Sequence, residues 1–330
     1  MANLDLGQFG LDRAESGDDV VVPFTLEELD SRGRAVRLAT SLDEILTRHD
    51  YPIQVARLLG EAVTLCALIG SSLKFDGRFI LQTQGDGAVN MIVVDFVTPG
   101  ALRAYARFDQ QALATAIERN EDSTSELLGK GHLAMTIDQG ANTERYQGIV
   151  ELDGNGFEQA AVHYFAQSEQ IPTMVRLAVA QHAARGGDGL HWRAGGMMVQ
   201  FLPKTGEKMV DDLAGGGLKE GDGADHEAAP DHWLETKALF QTLSDAELVD
   251  PAISAERLLF RLYNEKGVRV FDPVHVEAHC TCSADRSEAM LAGFSDQERQ
   301  EMAIDGEIEV VCEFCSASYH FNPHQFKIKH

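Results

Sequence analysis

Basic residues are scarce in this chain of 330 residues: 28 Lys and Arg stand against 52 Asp and Glu, a net charge of −24. A surface of that sign repels phosphate backbones, which argues against a nucleic-acid binder. The acidity favours solubility, and it would keep the protein dispersed even with part of its surface apolar. A long hydrophobic run is also missing. The most apolar stretch, Ile53 to Ile69, is interrupted by Arg57 and Glu61 and falls short of the ~20 apolar residues of a membrane span. Residues Met1 to Glu15 lack a basic segment followed by an apolar one, so no secretory signal is read there. A soluble, cytosolic protein with no membrane partner is expected. The signatures of a P-loop, a G-x-S-x-G elbow, an H-E-x-x-H helix and a G-x-G-x-x-G turn are absent as well. No enzyme active site is expected.

What is present reads as an α+β protein, a mostly antiparallel sheet with covering helices. Residues 1–20 form a polar, loose arm. Val20 to Phe24 and Ala35 to Ala39 read as strands, and Ser41-Leu-Asp-Glu44 fits a capping box. Ile53 to Lys74 is apolar nearly all round and predicts a buried helix, in which Cys66 is a core residue. Strand-like runs follow at Arg78 to Gln84, Val89 to Val97, Leu102 to Phe108, His132 to Ile137 and Glu144 to Leu152. Gly85-Asp86-Gly87 reads as a hairpin turn, with glycine supplying positive φ. A helix is expected over Phe157 to Ser168, then strands over Thr173 to Ala180 and Trp192 to Leu202. Glu61, Asp86 and His132 are read as hydrogen-bonded structural residues, and Phe75, Phe79 and Phe96 as core.

The composition shifts after Pro203. Thr205 to Glu256 holds 13 acidic residues and 3 Lys or Arg, and residues 214–229 are too rich in Gly, Ala and Asp to pack a core. Short helices are expected over Trp233 to Leu243, Asp245 to Val249 and Ser254 to Tyr263, with a capping box at Ser244 to Glu247. Such short helices are marginal alone. A small C-terminal block follows, with strands at Val268 to Phe271 and Ile308 to Val311 and a helix opening at Ser295-Asp-Gln-Glu298. The expected division is residues 1–204, an α+β domain; 205–266, an acidic flexible insertion and helical linker; and 267–330, a metal-binding module.

Four of the five cysteines lie in that last block: Cys280 and Cys282 as C-x-C, then 29 intervening residues, then Cys312 and Cys315 as C-x-x-C. Zinc prefers four thiolates in a tetrahedron. Each close pair grips one edge, and folding brings the edges together. Clustered cysteines in a reducing cytosol point to metal or redox chemistry rather than structural disulfides. His275, His279, His320 and His324 lie nearby and are alternative ligands, although His279 directly precedes Cys280. Other readings are a purely structural zinc site, a zinc-ribbon nucleic-acid binder, and a thiol-disulfide oxidoreductase with a zinc-protected dithiol. The last normally opens a helix, whereas Cys312 to Cys315 runs into a strand-like segment.

A module of about 60 residues has a thin core, and zinc contributes ~10–16 kcal/mol of apparent folding free energy in small domains. A disulfide offers no thiolates to a metal. Each pair is close enough in sequence to join internally, and such short loops would not replace a clamp across the interval. Oxidation is therefore expected to melt the module and to loosen the weak helices before it, an order-to-disorder switch.

With these residues in view the chain resembles the heat shock protein 33 family of bacterial chaperones, the 33 kDa chaperonins. The resemblance spans nearly the whole sequence. It rests on His279-Cys-Thr-Cys-Ser283 with Asp285 and Arg286, and on Val311-Cys-Glu-Phe-Cys315 with Tyr319-His-Phe321. In the N-terminal part it rests on Leu58-Leu-Gly-Glu-Ala62, Leu73-Lys-Phe-Asp-Gly-Arg78, Gln84-Gly-Asp-Gly87, and Tyr164-Phe165 with Ser168-Glu-Gln170 and Pro172-Thr173. It implies an ATP-independent holdase, inactive when reduced and holding one Zn2+ on Cys280, Cys282, Cys312 and Cys315. Oxidative stress would form the disulfides Cys280–Cys282 and Cys312–Cys315, release zinc, unfold the module and a linker at about 231–266, and give a homodimer. That dimer would bind unfolding client proteins and later pass them to ATP-dependent refolding chaperones. The stretch at 205–230 departs from the family pattern and reads as an insertion.

Overall fold

The structure, a computed structural model, describes residues 16–140, 145–183, 189–202 and 231–326. The expected loose arm, as far as residue 15, and the Gly- and Asp-rich stretch lie outside the described residues. In chain order the elements are β1 (Val20–Leu26), β2 (Ser31–Leu38), α1 (Thr40–Thr47), α2 (Ile53–Gly70), β3 (Arg78–Gly85), β4 (Val89–Val97) and β5 (Ala101–Phe108). Next come α3 (Gln110–Glu118), α4 (Thr124–Leu128), β6 (Lys130–Asp138), β7 (Tyr146–Asp153) and α5 (Gly156–Tyr164), which runs into a π turn. The chain continues through β8 (Thr173–Ala183), β9 (Leu190–Phe201), α6 (Asp231–Phe240), α7 (Asp245–Val249) and α8 (Ala255–Tyr263). It ends with β10 (Val268–Val270), β11 (Val274–His275), β12 (Glu277–Ala278), α9 (Ala284–Leu291), α10 (Asp296–Met302), β13 (Ile308–Val311) and β14 (Ser318–Phe321).

The architecture is α+β with antiparallel sheets. The first sheet runs β10-β1-β2-β9-β8, with β11 also on β1, and the second runs β12-β5-β4-β3-β6-β7. Helix α2 touches strands of both sheets and is the centre of the main core. Its apolarity on all sides follows from having no solvent face. By length and composition it would also pass for a membrane span, but 78% of it is buried inside the fold. It ends at Gly70, earlier than the Lys74 read from the sequence. The Ser71 and Ser72 amides and hydroxyls take up carbonyls of its last turn, and Leu73 bonds back to Gly70.

Two local readings need correction. Ser41 does not cap α1. It lies within the first turn, and the Asp19 carboxylate accepts from the Ala39, Thr40 and Ser41 amides at 2.9–3.1 Å. A carboxylate from a neighbouring segment therefore satisfies the free amides and complements the helix dipole. Gly85 and Gly87 do turn β3 into β4, yet neither has positive φ. They are small because the 127–129 backbone passes beside them: a Cβ at Gly87 would lie 2.2 Å from the Leu127 carbonyl oxygen. Asp86 ties the same two segments by accepting from the Lys130 amide at 2.6 Å.

The strands of the first sheet alternate with period two. Val21 faces the α2 core, while Val20, Val22, Phe24 and Leu26 face a second core shared with α6, α7 and α8. Trp233, Phe240, Leu248, Leu259 and Tyr263 are buried against that face. Helices that look marginal by propensity are thus held by burial. Capping boxes at Ser244 and Ser295 open α7 and α10 as expected. The strand β10 pairs with β1 rather than within the cysteine-bearing block, and β12 runs parallel to β5.

Glu61, on α2, accepts a hydrogen bond from Thr124 Oγ1 at 2.9 Å. Burial, with Glu158 and Asp245 nearby, lifts its carboxyl to about 7 from the usual 4.5, against smaller opposing effects of the Thr124 hydrogen bond and of Arg57. The native state therefore binds a proton that the unfolded chain releases between those two values, and stability is lost as pH rises through that window. The Glu61→Gln variant is expected to gain on the order of 3 kcal/mol at pH 8 and almost nothing at about pH 4, below both values, read as the shift in melting temperature. An equal shift at about pH 4 and at pH 8 would rule out titration of this group as the cause.

Candidate metal centre

The two cysteine pairs arrive from different supports. The first follows β12, and the His279 amide donates to the Leu102 carbonyl at 2.8 Å, which pins the chain just before Cys280. After Cys282, Ser283 caps α9 by accepting from the Arg286 amide at 3.2 Å. The Arg286 guanidinium returns to the Thr281 carbonyl at 2.5 Å and closes the C-x-C loop. The second pair forms the turn between β13 and β14. There the Cys312 amide donates to Ala317 and the Ser316 amide to Cys312, both at 2.9 Å, with Ser316 in the left-handed region at φ +58°.

The structure brings all four sulfurs together. Every pair lies within 4.8 Å, with Cys280 to Cys312 at 3.7 Å and Cys282 to Cys315 at 3.3 Å. A tetrahedron of Zn–S bonds of ~2.3 Å has edges of roughly 3.8 Å, so these spacings fit one thiophilic ion. Among the described residues, no other group of His, Cys, Asp and Glu is placed for a metal. His320 instead lies 3.3 Å from Ser318 Oγ and 3.6 Å from Glu307. Cys66 is fully buried in the main core, as expected.

The electrostatics suit a cation. Burial opposes ionisation of Cys282, yet hydrogen bonds from Tyr319 and the other three thiols bring it down to about 7. Burial pushes Cys312 up and Cys315 up to about 12. The Tyr319 hydroxyl, 3.2 Å from the Cys282 sulfur, is pushed up to about 12 by that bond. Cys282 is thus held low, while burial holds the Cys312 and Cys315 thiols towards their protonated form. A divalent ion would draw those protons off, as thiolate ligation requires.

Residues with no assigned role in the sequence reading complete the site. Tyr319 is one, signalled only by its place in a motif. Arg103 is another: its guanidinium lies 4.0 Å over the Phe314 ring, donates to Asp95 at 2.5 and 2.8 Å and to Thr281 at 3.2 Å. Tyr105 meets Phe314 edge-on at 4.9 Å, and Arg107 pairs with Glu313 at 2.9 Å. These contacts seat the cysteine turn on β5. The cysteine-bearing lobe has little else of its own: its buried apolar cluster is Leu291, Ile308, Phe321 and Phe326.

Two antiparallel sheets about a buried helix, a helical cover, and a thin lobe closed by a tetrathiol cluster define an α+β protein with a C-terminal candidate metal lobe. A family model described as "Hsp33 protein" matches residues 19–322. The chain is 47% identical over 308 residues to a 33 kDa chaperonin of Caulobacter vibrioides, covering 93% of this chain and 95% of that protein. It is 34% identical to one of Aeromonas salmonicida, covering 93% of each. The crystal structure of a 33 kDa chaperonin from Thermotoga maritima shares the fold at TM-score 0.71 and 20% identity, over 93% of this chain and 96% of that one. The chain belongs to the Hsp33 family.

Proposed function

We propose that this chain is a redox-regulated, ATP-independent holdase, with the chaperone domain in residues 1–204, an acidic insertion and helical redox-sensitive linker in 205–266 and the zinc-binding switch module in 267–330. One observation carries the reading: four sulfurs from two distant segments meet within 4.8 Å in a lobe whose own buried core is four apolar side chains. Such a core cannot hold the lobe without a staple. Zn2+ on Cys280, Cys282, Cys312 and Cys315 would supply that staple, neutralising four thiolates in one tetrahedron.

The chemistry of the switch lies in the sulfurs. Two thiols give up two electrons and two protons to a peroxide, which leaves as two waters, and one S–S bond forms. With all four sulfurs within 4.8 Å proximity does not choose the partners, and the contacts at 3.7 and 3.3 Å run between the pairs. The family resemblance supports Cys280–Cys282 and Cys312–Cys315. Disulfides within each pair leave no sulfur link across the interval from 283 to 311, so the lobe loses its clamp. The helices α6 to α8 precede it directly, through β10 on β1. Their release would uncover Val20, Val22, Phe24, Met197, Val199 and Phe201, a continuous apolar face. A face of that kind binds unfolding clients through burial of their apolar groups. Homodimerisation and transfer to ATP-dependent refolding chaperones belong to the same reading, as does action in the cytoplasm.

Peroxide treatment is expected to release one zinc per chain, to give the two short-range disulfides by peptide mapping, and to make the protein suppress aggregation of a heat-unfolding client. Release without protection would overturn the chaperone role. Catalytic insulin reduction would instead favour a thiol-disulfide oxidoreductase.

A further inference from the structure

The segments that the thiol site holds also close the rim of the second sheet. On the side away from β7 the outermost long strand is β5, and its outer edge is covered at successive points. β12 pairs with Ala101 and Leu102, and the His279 amide bonds Leu102. Farther along, the Tyr51 hydroxyl meets the Ala106 amide at 2.9 Å and the Ala106 carbonyl at 3.3 Å. Tyr51 leans on His49 at 5.0 Å between ring centres, and His49 Nδ1 lies 3.0 Å from Ser316 Oγ in the cysteine turn. The β5 strand carries no proline. An uncovered edge of this kind is a template for another extended chain.

The face beside that edge already holds a ligand supplied in cis. Leu102, Ala104 and Ala106 are buried in the core, so Arg103, Tyr105 and Arg107 stand on the opposite face. Phe314 fills the space between Arg103 and Tyr105, and Glu313 pairs with Arg107. Asp95 fixes Arg103 at 2.5 Å from behind. An aromatic ring under a guanidinium beside a carboxylate–arginine pair is a recognition geometry, directional on both counts.

We propose that the Glu313–Phe314 tip is an internal stand-in for a client, and that β5 with Arg103, Tyr105 and Arg107 is a docking surface for an extended polypeptide carrying an aromatic residue beside a carboxylate. The inference rests on the holdase reading above. The stand-in lies between Cys312 and Cys315, so loss of the clamp between the two cysteine pairs, with unfolding of the lobe, withdraws the whole turn from the face. The same unfolding releases Ser316 from His49 and frees the segment before Cys280 from the edge.

The test uses the full chain, reduced or peroxide-treated. The probe is a fluorescent peptide copying residues 310–317 with serine for both cysteines. Its control carries Lys-Ala in place of the Glu-Phe pair. Anisotropy is expected to show the oxidised chain binding the probe about tenfold or more tighter than the reduced chain, and tighter than the control by a similar factor. The Arg107→Glu variant is expected to weaken the probe and to recover affinity for a peptide carrying Lys in place of that Glu. A general folding defect would not produce that exchange of preference. Client protection is measured on the same samples. Protection with no preference for the probe overturns the docking surface and leaves the holdase. Preference without protection supports the surface and removes the holdase. Probe binding that disappears as the chain self-associates assigns the surface to a second copy, against the proposal, and loss of both readouts overturns both.

Discussion

The Cys312→Ser variant is expected to hold no metal in reducing buffer and to have an unfolded C-terminal lobe. Three sulfurs leave the tetrahedron open, and a structural zinc site draws its folding energy from all of its ligands at once. The loss should approach the ~10–16 kcal/mol of apparent folding free energy found for zinc in small domains. Nothing among the described residues of the lobe offsets that. Its buried apolar cluster is four side chains, and its longest helix, α9, has eight residues. The main core around α2 is distinct from that cluster and should keep its melting transition. Without the lobe, β10 to β12 lose their anchor, and the variant is expected to protect a client without oxidant. Metal analysis, circular dichroism and light scattering on one preparation check the three outcomes together. A variant with a full complement of metal, or with a folded lobe and no metal, would contradict the role assigned to these sulfurs.

A second large effect is expected from a residue far from the cysteines. Gly195 on β9 lies under the end of α7, and a Cβ there would meet the Leu248 carbonyl oxygen at 2.0 Å. The contact involves backbone, so no rotamer relieves it. The Gly195→Val variant should therefore lift α7 from the sheet, at a cost of about 1–3 kcal/mol or more. It also separates the Arg37 guanidinium from the carbonyls of Leu248 at 3.3 Å and Asp250 at 2.5 Å, leaving buried charge less well satisfied. Oxidation and uncovering are thereby separated. The variant is expected to keep its metal while showing increased dye binding and oxidant-independent client protection. Arg37→Met, which removes the donors without a steric clash, should act in the same direction more weakly. If Gly195→Val binds dye strongly and still fails to protect clients, the apolar face under α6 to α8 is not where clients bind.

Local signals in the sequence were reliable where a local cause decides the structure. The capping boxes at Ser244 and Ser295 formed because a serine and a glutamate three residues apart satisfy each other's amides without outside help. The buried helix was readable because apolar residues occupy every side of it. The cysteine cluster was readable because two close pairs of thiols make sense chiefly around one ion. Other features depend on partners distant in the chain. Asp19 caps α1 from a neighbouring segment, and the Ser41 pattern lost to it. The seat for Phe314 is built by Arg103 and Tyr105, some two hundred residues earlier. Pairing of β12 with β5 spans two residues, too short for any periodicity. Tyr319 could be suspected from its motif, but its hydroxyl contact with Cys282 follows from strand register.

Amide hydrogen exchange, resolved by peptide before and after peroxide, tests most directly whether the sulfur cluster holds the lobe and its cover closed. Protection should vanish across residues 267–326 and fall across 231–266, while α2 and the strands β3 to β6 keep theirs. A lobe that stays protected after both disulfides have formed would contradict the switch at its root.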